Sequence, residues 1–265
     1  MSLPRQILKY FNILLARIER RIEVVKAPRK DPNEIFKGRE LKKIRDLYWM
    51  LDPMPSEKDL ELYYKNDYWN HRTQSSLVSE RDVLHFKLLI STVPDFFKVK
   101  RKIMNYGAGR GGISFLFSAA GHEVINIEPS THNLTAGFGI QTFSTLEKYT
   151  SRDIDLVYGS HSLEHVHDVH LVLGAINARL KPESLSFWEV PNALGPGNGP
   201  IESKIFVPHT YYFTRNFFDA SYRVVHFNLV GTDKESITPD SPLEVQFEES
   251  VNGDVIRFLG SGYSI

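Results

Sequence analysis

The octapeptide NYGAGRGG, residues 105–112, decides the fold of this 265-residue chain. It closes a short β-like run from Lys102 to Tyr106 and opens a helical pattern from Gly112 to Ala120. Glycines at 107, 109, 111 and 112 let a backbone turn sharply between strand and helix and approach a ligand with no Cβ in the way. Glu128 ends the next predicted strand, Glu123 to Ile127, at roughly the 20-residue spacing of an acid that grips a ribose diol. Together these features call for adenosine. Gly107, Gly109 and Gly112 also satisfy G-x-G-x-x-G, so the loop alone does not choose among adenosine cofactors.

Downstream of the loop, strand and helix patterns alternate. Strands are expected at about Phe138 to Phe143, Ile154 to Gly159 and Leu185 to Val190, with helices at about Thr131 to Gly137 and Val169 to Leu180. Such alternation predicts an α/β fold, a doubly wound and mostly parallel Rossmann-like sheet covered on both faces. After Pro191 it lapses into the Gly/Pro-rich NALGPGNGPIESK. A helix near Phe213 to Ala220 and a strand near Tyr222 to Val230 follow, and Asn252-Gly253 predicts a hairpin turn, giving the sheet an antiparallel C-terminal end.

About 100 residues precede the loop, which argues against a dinucleotide enzyme, where the loop usually opens the chain. Ile7, Leu8, Phe11, Leu14, Leu15, Ile18, Ile22 and Val25 recur at helical spacing opposite Lys9, Arg17, Arg20 and Arg21. This basic amphipathic helix offers a face to its own domain, to a second copy of the chain, or to a membrane surface as a peripheral contact. Leu41, Ile44, Leu47 and Leu51 predict a second helix, and Ser56 caps another. The expected organisation is a helical extension over 1–55, a helical and lid segment over 56–100 in which Tyr64 and Asp67 to Arg72 cover the cleft, and a cofactor-binding domain over 101–265.

Net charge is zero, but Met1 to Tyr48 hold 13 basic against 6 acidic residues, so the main domain is acidic and no nucleic-acid partner is expected. The chain has no cysteine, hence no thiolate nucleophile and no disulfide. Its start lacks a signal-peptide pattern and no stretch reaches membrane-span length, so a cytoplasmic location is expected.

Two further segments choose the cofactor: DIDLVYGSHSLEHVHD, residues 153–168, and SFWEVPN, residues 186–192. With the glycine loop and VPHTYYFT, residues 207–214, they resemble the class I S-adenosylmethionine-dependent methyltransferases, specifically the broad subfamily with a Leu-Glu-His-Val turn after the fourth strand. The resemblance spans roughly Tyr63 to Val230 and implies S-adenosylmethionine as cofactor. It implies a cofactor site of Asn105, Gly107, Ala108, Gly109, Gly111, Glu128 and Pro129, with Thr142 and Phe143 beside the adenine and Ser160 and His161 at the mouth of strand four. Asn105 stands where the family usually has Asp or Glu, so an uncharged amide meets the methionine amino group and affinity is expected to be lower.

Methyl transfer to a hydroxyl needs alignment and removal of a proton, a task suited to histidine. His165 and His209 are the candidate bases, closing on the acceptor side. His161 and His165 lack the His-Glu-x-x-His order of zinc proteases, and no metal is expected. The expected reaction is methyl transfer to a small-molecule or sugar acceptor, at oxygen, in polysaccharide or secondary-metabolite modification. The alternatives are an NAD-dependent oxidoreductase and a non-catalytic methyltransferase-like binding module.

Overall fold

The computed structural model describes residues 35–66, 68, 77–130, 133–195, 209–232 and 253–264. The predicted helix over Pro4 to Lys26, all of the Asp67 to Arg72 run except Tyr68, most of the Gly/Pro loop and Asn252 of the predicted turn lie outside these residues.

Seven strands form the main sheet: β3 (Lys102–Tyr106), β4 (Glu123–Ile127), β5 (Gln141–Phe143), β6 (Ile154–Ser160), β7 (Leu180–Pro191), β9 (Tyr222–Gly231) and β10 (Val255–Tyr263). Their order is β5-β4-β3-β6-β7-β10-β9; β3 to β7 run parallel, and β10 is antiparallel to both β7 and β9. The expected fold class is the observed one. β10 is inserted between β7 and β9, and the predicted hairpin partner of β10 lies outside the described residues.

Strand alternation divides the core into two layers. Ile103, Leu156 and Phe187 pack on one face with Leu88, Leu89 and Phe117, while their neighbours Met104, Val157 and Trp188 pack on the other with Leu163, Leu173 and Phe217. The helices on these faces are α2 (Glu80–Thr92) and α3 (Gly112–Ala119) on the first, and α4 (Val169–Asn177) and α5 (Arg215–Ser221) on the second. Helix α2 starts with a reciprocal cap in which Ser79 Oγ accepts from Asp82 N and Asp82 accepts from Ser79 N. It is preceded by α1 (Glu57–Asn66), where Asp59 N donates to Ser56 Oγ at 3.2 Å, so Ser56 caps as expected.

Two expected elements are corrected. Leu41, Ile44, Leu47 and Leu51 lie not on a helix but on a hairpin of β1 (Glu40–Ile44) and β2 (Tyr48–Asp52). The hairpin turns through Arg45 at φ +51° and adds to a third strand, β8 (Tyr211–Phe213), which pairs Tyr48 with Phe213 and Met50 with Tyr211. Tertiary pairing with a distant strand overrides a short helical spacing. Of the predicted Thr131 to Gly137 helix, the described residues hold a 3-10 turn at Thr135–Phe138. Among the described residues no helix is long and apolar enough to cross a membrane.

Candidate functional site

Strand connections diverge on either side of β3: the chain passes from β3 to β4 on one side and returns to β6 on the other. Ligands of open α/β sheets sit at the carboxyl ends of the strands at such a switch point. A cleft of about 770 Å³ opens there, within the size range of cofactor sites.

The glycine loop forms its floor. Gly107 N and Ala108 N donate to Ile127 O at 2.9 and 3.2 Å, which ties the loop to the end of β4. Gly111 adopts φ +87°, and a Cβ there would lie 2.4 Å from Thr135 Cγ2; one on Gly107, at φ +70°, would lie 2.5 Å from Ser162 Cβ. These glycines therefore admit close approach by the protein's own chain, which seats the loop under the 3-10 turn and the β6 exit.

Glu128 is buried and lines the cleft. Its Oε2 accepts from Gly109 N at 2.7 Å and its Oε1 from Ser130 N at 2.9 Å. Burial raises its pKa, and the hydrogen bonds from Ser130 and Gly109 only partly oppose this. A carboxylate has about four acceptor positions. Gly109 N, Ser130 N and the Ser130 side chain fill about three of them, and a ribose hydroxyl offers a donor for the position that is left, so the residues present fit an adenosyl group.

The wall of the cleft around His165 is assembled by backbone bonds between distant segments. Leu51 N donates to Thr210 O at 3.0 Å, while Thr210 N and Oγ1 donate to Glu164 O at 2.7 and 2.9 Å. The N-terminal hairpin thereby holds Thr210 against the Leu163–His165 turn and brings His209 beside His165, ring centroids 5.1 Å apart. Tyr64 and Tyr68 flank the His165 ring at 5.3 and 5.5 Å. Donor atoms of Glu164, His165 and His209 lie within 4.8 Å of one another, a set able to pass a proton or to hold a cation. Burial pushes the Glu164 carboxyl up, but the surrounding His165, His161 and His209 outweigh it and hold it at about 2.

Most residues expected at the cofactor gather here: Asn105, Gly107, Ala108, Gly109, Gly111, Glu128, Pro129, Ser160 and His161 all line the cleft, as does His165. Four of the expected residues are engaged with protein partners. Asn105 donates from Nδ2 to Ser114 Oγ at 2.8 Å, because it shares a strand face with Ile103, toward α3. Thr142 is bonded to Asn126 and Phe143 packs on Tyr149; Ser144 to Glu147, just beyond, form that wall. The His161 ring lies between Glu164 and Glu189 rather than standing free for the cofactor. Sequence reasoning did not single out Glu164 or Glu189, though both sit inside the two motifs that suggested the family, and it missed Arg81 and Tyr158 on the cleft wall.

The model of a family described as a methyltransferase domain matches residues 49–229. The C-methyltransferase NovU of Streptomyces niveus is 29% identical over 125 residues, covering 42% of this chain and 29% of the relative's own length. Among solved structures, a SAM-dependent methyltransferase from Archaeoglobus fulgidus aligns with TM-score 0.48 at 16% identity, covering 67% of this chain and 93% of that one. A possible histamine N-methyltransferase from Thermotoga maritima aligns with TM-score 0.46 at 15% identity, covering 69% and 96%.

Proposed function

The chain belongs to this methyltransferase-domain family, a SAM-dependent methyltransferase, and from that premise we propose that it methylates a small-molecule acceptor, a sugar or sugar-like hydroxyl compound, at oxygen. The family match chooses the methyl donor over the dinucleotide alternative. The observation that carries the finer reading is the Glu164–His165–His209 group beside the glycine loop, with His165 on the wall of the same cleft.

When bound, S-adenosylmethionine supplies an electrophilic methyl group on a sulfonium. The residues that would hold it are the 107–111 loop, by backbone approach, and Glu128, by its carboxylate. On the acceptor side His165 takes the hydroxyl proton, Glu164 stabilises the imidazolium that forms, and Tyr64 and Tyr68 hold the ring in place. The same base serves a carbon acid, and the likeness to a C-methyltransferase makes carbon the second reading.

Incubation of the full chain with methyl-labelled donor and a panel of sugars, followed by NMR of the product, tests both. An O-methyl resonance supports the proposal, a C-methyl resonance supports the second reading, and transfer to neither class overturns both. Turnover is expected to be unchanged by a chelator; loss on chelation with recovery on adding Mn²⁺ would make Glu164, His165 and His209 metal ligands instead.

A further inference from the structure

A line of charged groups runs from the interior of the sheet to the acceptor side of the cleft. It begins at Glu189, which is completely buried near the end of β7. Its Oε2 accepts from Arg257 Nε at 2.7 Å and from His85 Nε2 at 2.8 Å, and its Oε1 accepts from Ser160 Oγ at 3.1 Å. Arg81 Nε stands 3.3 Å from Oε1. His85 is itself fixed by Tyr158, with Nδ1 and the hydroxyl 2.6 Å apart.

His161 is attached to this centre twice. Its backbone N–H donates to Glu189 O at 2.9 Å, and its ring Nε2 lies 3.3 Å from Glu189 Oε1. The other ring nitrogen, Nδ1, lies 3.2 Å from Glu164 Oε1, which in turn is 3.7 Å from His165 Nε2. His161 has φ +50°, a conformation uncommon for a residue with a side chain. The groups that face it are Glu164 and Glu189; those that face Glu164 are His161, His165 and His209.

A buried carboxylate needs a compensating charge. Glu189 has two arginines within 3.3 Å, whereas the cationic partners recorded for Glu164 among the described residues are the imidazoles of His161, His165 and His209. We propose that His161 is a positioning residue: bridging Glu189 and Glu164, it shares the Glu164 Oε1 with His165, offsets part of that carboxylate's pull on a His165 proton and so sets the pH at which the acceptor is deprotonated. This rests on His165 as the acceptor-side base. Burial works against a charge on His161, but the Glu164 and Glu189 carboxylates push its pKa up to about 9, so the bridge is cationic at neutral pH.

The test is the pH profile of kcat/KM for His161→Asn and Glu164→Gln, with S-adenosylhomocysteine affinity measured alongside. Asparagine tolerates the left-handed backbone but carries no charge. Removing the cation leaves Glu164 to stabilise a protonated His165 unopposed. The acid limb should move up by about one pH unit, since a charge within several ångströms shifts a neighbour by about 1–3 units. Glu164→Gln should move it down, and both variants should keep affinity for S-adenosylhomocysteine within about threefold. A limb that stays in place in His161→Asn while affinity or melting temperature falls would overturn the proposal, leaving a structural or cofactor-contact role. If His165→Gln retains full kcat, the base reading itself fails, an outcome separate from any result on His161.

Discussion

Glu128→Ala is expected to weaken S-adenosylhomocysteine binding by at least about 100-fold. A diol hydroxyl donating to a buried carboxylate forms a charge-assisted bond of about 1.5–3 kcal/mol, and about 1.4 kcal/mol is a factor of ten. The substitution removes more than the diol's partner. Gly109 N and Ser130 N, now 2.7 and 2.9 Å from the carboxylate, lose their acceptor, and the loop loses a tie that sets its course. Glu128→Gln should do little better, because its amide nitrogen must face one of those two N–H groups donor to donor. Calorimetric titration measures the loss, with circular dichroism to show that the variant is folded. An affinity within threefold of wild type would mean that the ribose is held elsewhere.

His165→Gln is expected to lower kcat by about 10²–10⁴ at neutral pH, the usual contribution of a positioned general base. Affinity for S-adenosylhomocysteine should persist, since the loop and Glu128 are untouched. Glutamine fills similar space between Tyr64 and Tyr68 and keeps hydrogen-bonding atoms near Glu164, so the loss would report proton removal and not collapse of the wall. His209→Gln should cost less, because His209 meets the His165 ring from behind, held by Thr210, and is not itself on the cleft wall. Equal losses at both positions would mean that the pair acts as one unit.

The parallel half of the sheet was readable because each of its signals is local. The β3 run, the glycines and Glu128 lie within 27 consecutive residues, 102–128, and need no distant partner to be recognised. The hairpin at 40–52 was not readable in this way: its apolar residues satisfy a helical spacing, and the strand that decides otherwise, Tyr211–Phe213, lies far along the chain. Asn105 is a different case. Its motif position suggested the ligand, but the two-residue period of the strand already placed it with Ile103, on the side of α3. For Glu164 and Glu189 the residue types were in plain view. Their convergence on His161 was not, because it depends on β6 and β7 being neighbours and on the turn at φ +50°.

Unlike the loop, the His165 side of the cleft is built from four separated stretches: α1 with Tyr64 and, just past its end, Tyr68, the turn after β6, the residues leading into β8, and the N-terminal hairpin that fastens them. This accounts for the reach of the family resemblance upstream of the glycine loop. The segment before β3 supplies a wall of the site, and its α2 reaches Glu189 through His85.

A crystal structure of the full chain with S-adenosylhomocysteine would test the central claim most directly. The ribose diol is expected on the Glu128 carboxylate, with the sulfur oriented so that a transferred methyl group would face His165. A nucleoside bound away from Glu128, or a sulfur aimed away from His165, would contradict it.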